Sequence, residues 1–231
     1  MATIEERIEK LEKIVEKHEA AIECARLIGR WCYLNNQHIK NKKGSMLELF
    51  AMKTPDVRVI LGQEGGWQGP EKVAKLYGRR EPPIAEGAPG GRPGGSRIGH
   101  LFLHPLASPY IEVAGDLKTA KGVWLSIGIE TGSDKNGNLT PCWGWGAYGV
   151  DFIKEEGQWK IWHFHIYRIF RAPYDKSWTA YVPEGPGMPM FADNPPNLPP
   201  KDDSPYSADK EYVFKPDMPE PYETFDESTA Y

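Results

Sequence analysis

Residues 98–170 constrain the fold more than any other stretch. They contain three apolar, aromatic-rich runs parted by Ala114-Gly115-Asp116, by Gly132 through Asn138, and by Glu155-Glu156-Gly157. Runs of β-branched and aromatic residues bounded by Gly, Asn and Asp predict consecutive antiparallel strands. Four of the six histidines, His100, His104, His163 and His165, fall in this stretch. The expectation is a strongly curved sheet whose inner face lines a pocket.

Upstream, Ile4, Ile8, Leu11, Val15, His18 and Ile22 alternate spacings of four and three, a helical heptad seam. That helix, residues 1–19, either packs on its own domain or forms a short coiled coil between subunits. Residues 20–40 continue as a second helix or as an extension of the first, with Leu27, Trp31 and Leu34 on one face. Ser45 to Met52 reads as a short helix with Ser45 and Glu48 as a capping box. Val57–Gly62 reads as a strand, and a helix starts at Pro70 and stops at Gly78. Residues 79–97 are punctuated throughout by Pro and Gly and fit no regular element. They are either a lid over a pocket mouth or a surface loop.

From Pro173 onward the chain holds 12 of its 21 prolines, together with many aromatics. A disordered tail is poor in aromatics. Residues 173–231 therefore read as an extended arm laying aromatic anchors on a surface, with the last ten residues mobile. Residues 20–172 form the domain between helix and arm.

The net charge of −4 leaves no footprint for nucleic acid or an anionic membrane. Three cysteines with no paired spacing suit a reduced, cytoplasmic setting. The charged N-terminus is not a signal peptide, and there is no long apolar span.

In Trp159-Lys-Ile-Trp-His-Phe-His-Ile-Tyr167, strand alternation puts His163, His165 and Tyr167 on one face. Burial keeps such histidines neutral and able to move a proton near pH 7, or they are structural and bonded to a backbone carbonyl or Tyr. No metal site is expected: His100 and His104 lie four apart outside a helix, with no carboxylate at the spacing of a third ligand. Neither a G-x-S-x-G nucleophile nor a phosphate loop is present. An aromatic-walled pocket with a few polar groups remains, suited to proton transfer by His with Tyr and Asn hydrogen bonds to a developing oxyanion.

Arg30-Trp31-Cys-Tyr33, Gly69-Pro-Glu-Lys-Val73, His104-Pro-Leu-Ala-Ser-Pro-Tyr-Ile111-Glu, Thr119-Ala-Lys-Gly-Val-Trp124 and Gly157-Gln-Trp159-Lys-Ile-Trp-His163 occur in this order. In that order they resemble the SnoaL-like branch of the nuclear transport factor 2-like superfamily. The resemblance implies an α+β fold: a conical barrel of strongly bent antiparallel sheet wrapped around N-terminal helices. It also implies a cofactor-independent lyase, of dehydratase or retro-aldol type, on a bulky hydroxylated aromatic or polycyclic small molecule. Isomerase or cyclase chemistry, or non-catalytic binding of a small molecule or protein, are the alternatives.

His104, seven residues before Ile111, matches the family's histidine base. The family's Tyr and Asp on the first pocket helix fall on Trp31 and Asn36, so a standard dehydratase pair is missing. His163 and Tyr148 are expected to assist catalysis, and Trp31, Tyr33, Asn36, His165, Trp124 and Trp145 to contact substrate. No cofactor is expected; a homo-oligomer, dimer or trimer, is.

Overall fold

A computed structural model of the chain describes residues 2–36, 46–77, 99–133, 136, 138–180, 193–201 and 203–231. The segment 79–97, His38 and Ser45 lie outside the described residues.

One helix, α1 (Ile4–Asn36), runs for 33 residues, so the expected first and second helices are continuous. Its start is a capping box: Glu6 N donates to Thr3 Oγ1 (3.1 Å) and Thr3 N to Glu6 Oε2 (2.7 Å). Residues 2–16 are exposed; burial starts at Ala20 and continues through Cys24, Ile28, Trp31 and Cys32. The boundary expected near residue 19 is thus the point where an uninterrupted helix meets the core. Against the described residues, the apolar seam residues Ile4, Ile8, Leu11, Val15 and Ile22 stay exposed.

After Met46-Leu47 the chain leaves the helical conformation, so the helix expected over Ser45–Met52 is cut short. Phe50 instead bridges to Ile161. Seven strands follow: β1 (Arg58–Leu61), β2 (Gly66–Gln68), β3 (Leu101–Leu103), β4 (Leu106–Val113), β5 (Thr119–Ser133), β6 (Leu139–Glu155) and β7 (Gln158–Pro173). Helix α2 (Pro70–Tyr77) stands where its Pro predicts. The β6–β7 turn has positive φ at Glu156 (52°) and Gly157 (77°), as a two-residue type I′ hairpin requires. The first expected strand is split at His104-Pro105 into β3 and β4, both pairing with β5.

The sheet order is β2-β1-β7-β6-β5-β3, with β4 also on β5. β1 runs parallel to β7, and all other pairings are antiparallel. The result is an α+β cone: a curved, unclosed sheet with the C-terminal half of α1 in its concavity. Strand alternation turns Trp124, Ser126, Gly128 and Glu130 of β5 inward and Lys121, Val123 and Leu125 outward. The interior is aromatic. Trp31 meets Tyr148 and Phe164 edge-on (centroids 5.7 and 4.5 Å), and Tyr148 meets Phe164 the same way (5.4 Å).

The described parts of the arm after Pro173 lie over the convex face. Trp67 Nε1 donates to Asn194 O (2.6 Å), Tyr206 N to Ile169 O (2.8 Å), and Tyr231 packs on Ala147 and Tyr167. The last ten residues are not loose as expected. Tyr231 is only 8 % exposed, and Lys121 Nζ donates to Thr229 O (2.7 Å).

Candidate active site

The sequence places His104 in a short extended connection where Pro105 cannot donate a hydrogen bond. The C-terminal turn of α1 compensates. His104 N donates to Asn36 Oδ1 (2.9 Å), while His104 O accepts from Cys32 Sγ (3.2 Å) and Asn36 Nδ2 (3.4 Å). The backbone of His104 is therefore pinned by two residues one helical turn apart.

Its imidazole lies on the inner surface of the sheet against Gly128 and Gly144. A Cβ at Gly128 would sit 2.2 Å from Cε1 and Nδ1, and one at Gly144 3.2 Å from Cε1. Only glycine leaves that space. Phe102 covers the ring, with centroids 4.5 Å apart.

His104 Nε2 lies 3.0 Å from Glu130 Oε1. The other carboxylate oxygen accepts from Arg171 Nε (3.2 Å) and Nη2 (2.9 Å), and Cys142 Sγ approaches it at 3.8 Å. Burial by itself would raise the Glu130 carboxyl. The His104 hydrogen bond and the Arg171 charge outweigh it and hold the group down at about 2. A carboxylate that is ionised at neutral pH, 3.0 Å from Nε2, favours the neutral tautomer with its proton on Nε2, in which the lone pair is on Nδ1.

Deeper in the cone, Ser126 Oγ donates to Tyr148 Oη at 3.3 Å. Burial pushes the Tyr148 phenol up, so it stays protonated at neutral pH. Trp31 and Trp124 are buried in the same interior, Trp124 edge-on to Phe152 at 6.2 Å.

The remaining sequence-derived residues are distributed otherwise. Asn36 reaches the site but is occupied with the His104 backbone. Tyr33 is 72 % exposed on the solvent side of α1 and does not reach the cone, because two helical positions turn it away from Trp31. Trp145 is on the convex side, stacked on Phe170 (5.8 Å). His163 and His165 also lie on the convex face, so they do not meet His104. His163 Nδ1 is 2.8 Å from Asp151 Oδ2, and His165 Nε2 is 2.9 Å from Asp203 Oδ1 of the arm. Burial lowers the His165 pKa, and Asp203 offsets part of that effect. Both histidines sit beneath the arm. Two adjacent strand residues of one parity share a face, but sequence alone cannot say which face is concave.

Glu130, Arg171, Cys32 and Ser126 are joined by contacts to the candidate site and were not singled out from sequence. The available signal was an ionisable residue two positions after a glycine in an otherwise apolar strand, Gly128-Ile-Glu130.

Two hollows are present among the described residues, one beside Glu130 and one at the β6–β7 turn. Thr140, Pro141, Cys142, Arg171, Ala172 and Pro173 line one of about 110 Å³ beside Glu130. A groove of about 330 Å³ runs between Arg26, Arg30 and Trp159. Among the described residues, Asp56, His163 and Glu227 are the group whose ligand atoms come within 4.8 Å of one another. Arg58 Nη1 already pairs with Glu227 Oε1 (2.8 Å), and Trp162 Nε1 donates to Asp56 Oδ1 (2.8 Å). The charge of the group is thus partly met by the protein itself, which fits a metal poorly.

Residues 16–165 match the SnoaL-like domain family, and the chain belongs to it. Solved structures share the fold. A type 2 hexachlorocyclohexane dehydrochlorinase superposes with a TM-score of 0.53 at 12 % identity, covering 74 % of this chain and 98 % of its own. A candidate scytalone dehydratase from Novosphingobium aromaticivorans gives 0.51 at 14 % identity, covering 76 % and 97 %. A dehydrochlorinase from Novosphingobium barchaimii gives 0.50 at 13 %, covering 74 % and 99 %. At these identities the likeness is one of fold. No curated protein sequence matches the chain. Among the described residues no helix is long and apolar enough to cross a membrane.

Proposed function

We propose that this chain is a cofactor-independent lyase that starts its reaction with His104 as base. The observation that carries the reading is the His104–Glu130–Arg171 chain on the concave face, with Nε2 held 3.0 Å from a carboxylate; in our reading that leaves Nδ1 as the basic nitrogen. Such an orienter–base pair needs no cofactor to move a proton. Lyase chemistry also suits the family and the dehydratase and dehydrochlorinase names of its structural neighbours.

The substrate would be a hydroxylated aromatic or polycyclic compound with an acidic C–H beside a carbonyl. His104 Nδ1 takes that proton, and the C–H electrons form the new C=C bond as the C–O bond breaks. The proton on Nδ1 goes to the departing hydroxyl, which leaves as water. Atoms and charge balance, and the enzyme returns to its starting state. Retro-aldol loss of a small carbonyl fragment would use the same base on a hydroxyl proton. Tyr148, as a neutral phenol, would donate to the developing oxyanion. His163, Trp145 and Tyr33 have no part in this scheme.

Exchange of the substrate α-proton in D2O, followed by NMR over a panel of β-hydroxy aryl ketones, tests the scheme without knowing the natural substrate. Exchange by the wild type, abolished in His104→Ala, is expected. Exchange that survives His104→Ala would refute the base.

A second reading has its own observation. Trp31, Tyr148 and Phe164 fill the described interior of the cone, as they would in a non-catalytic binding module of this fold. Absence of exchange across the panel, with saturable binding of the same compounds, would favour it.

A further inference from the structure

We infer that the free N-terminal half of α1 is a docking element for a second copy of this chain, and that the two copies join there as a parallel, in-register coiled coil. The inference is independent of His104 chemistry.

The seam Ile4, Ile8, Leu11, Val15, His18 and Ile22 spans about 27 Å of helix. Its apolar members are exposed, from 50 % at Ile8 to 70 % at Ile4. Ile14, beside Leu11 and Val15, is 41 % exposed and widens the strip. A seam of this kind left in water on a protruding helix is an unpartnered face. Among the described residues, polar contact with the chain's own domain starts at Glu16–Lys154 (3.1 Å) and Lys17–Glu112 (2.8 Å).

Assigning Ile8, Val15 and Ile22 to heptad position a puts Ile4, Leu11 and His18 at d. Ala20 is then f, the position opposite the seam, and it is buried against the sheet. The body of the protein therefore lies behind the helix, and the seam faces outward with room for a partner helix.

The residue types select the partner. All three a residues, Ile8, Val15 and Ile22, are β-branched, and Leu11 holds the central d position, the combination that favours two strands. In a parallel pair, g residues face the following e residues of the partner. Arg7 at g meets Glu12 of the partner subunit, an attractive pair made twice by symmetry. In an antiparallel pair e residues face e residues. Here Glu5, Glu12 and Glu19 occupy every e position of the seam, so like charges would oppose one another. His18 at d is the single polar layer. Such a residue weakens a coiled coil while fixing its register.

The test is analytical ultracentrifugation of the full chain, with a Leu11→Glu/Val15→Glu variant, and cross-linking through one introduced cysteine, the native Cys24, Cys32 and Cys142 being buried. Wild type should dimerise, and the double variant should dissociate roughly 100-fold or more readily, having lost two apolar layers. Circular dichroism and the thermal midpoint of the cone should stay unchanged in that variant, because residues 2–16 are exposed. Under mild oxidation Ile4→Cys should give a covalent dimer, since parallel register brings position 4 to position 4. His18→Leu should tighten the dimer. A monomeric wild type, a dimer untouched by the double variant, or cross-linking only when Ile4→Cys is mixed with Ile22→Cys would each overturn the inference.

Discussion

Glu130→Gln offers the sharpest test of the site, because the charge on Glu130 links stability to pH. The carboxyl falls from an ordinary 4.5 in the unfolded chain to about 2 in the fold. At about 1.36 kcal/mol per pH unit, that difference is worth about 3 kcal/mol of folding free energy. The sign follows from the direction. A depressed carboxyl stabilises the fold fully above its unfolded pKa, and the contribution fades as pH falls from about 4.5 toward 2. Gln keeps the shape and one donor–acceptor pair but cannot ionise, and Arg171 is 44 % exposed at its side chain, so water can satisfy it. Urea denaturation at pH 7 should show Glu130→Gln less stable by about 2–3 kcal/mol. Between pH 4.5 and 2.5 the wild type should lose that advantage and the two curves converge. Curves that fall in parallel would refute the reasoning: the carboxylate would then not be held by His104 and Arg171.

Gly128→Ala puts a methyl 2.2 Å from the imidazole and should expel His104, cutting α-proton exchange by about tenfold or more while the fold survives, as NMR of the histidine ring would register. Trp31→Ala removes the interior's central ring and should cost about 3–5 kcal/mol in thermal or urea unfolding. Because burial holds His165 below its ordinary 6.5, the arm's grip should be full above that pH and weaken as pH falls below it. Limited proteolysis after Pro173 at pH 5 against pH 7.5 should show the arm cut faster in acid, and His165→Asn should flatten that dependence.

The sequence by itself determined the parts that depend on local periodicity and turn chemistry. Alternating apolar runs ended by Glu156-Gly157 or Ala114-Gly115-Asp116 admit little besides antiparallel strands, and the heptad spacing of Ile4 to Ile22 admits only a helix. His104 could be picked out because the word around it resembles that of the SnoaL-like family. What only the tertiary structure decided is which face of each element meets what. Strand alternation places His163 with His165 but leaves their face undetermined. The curvature of the sheet, with α1 in its concavity and the arm across its back, puts them under Asp203 and Tyr231 and away from His104. The groups around His104 come from three separate elements: Asn36 and Glu130, which contact it, and Arg171, which holds Glu130, lie far apart in the chain and are joined only by folding. The heptad seam shows the same division. Spacing identified it, but only the burial of Ala20 on the opposite side revealed that the seam faces solvent.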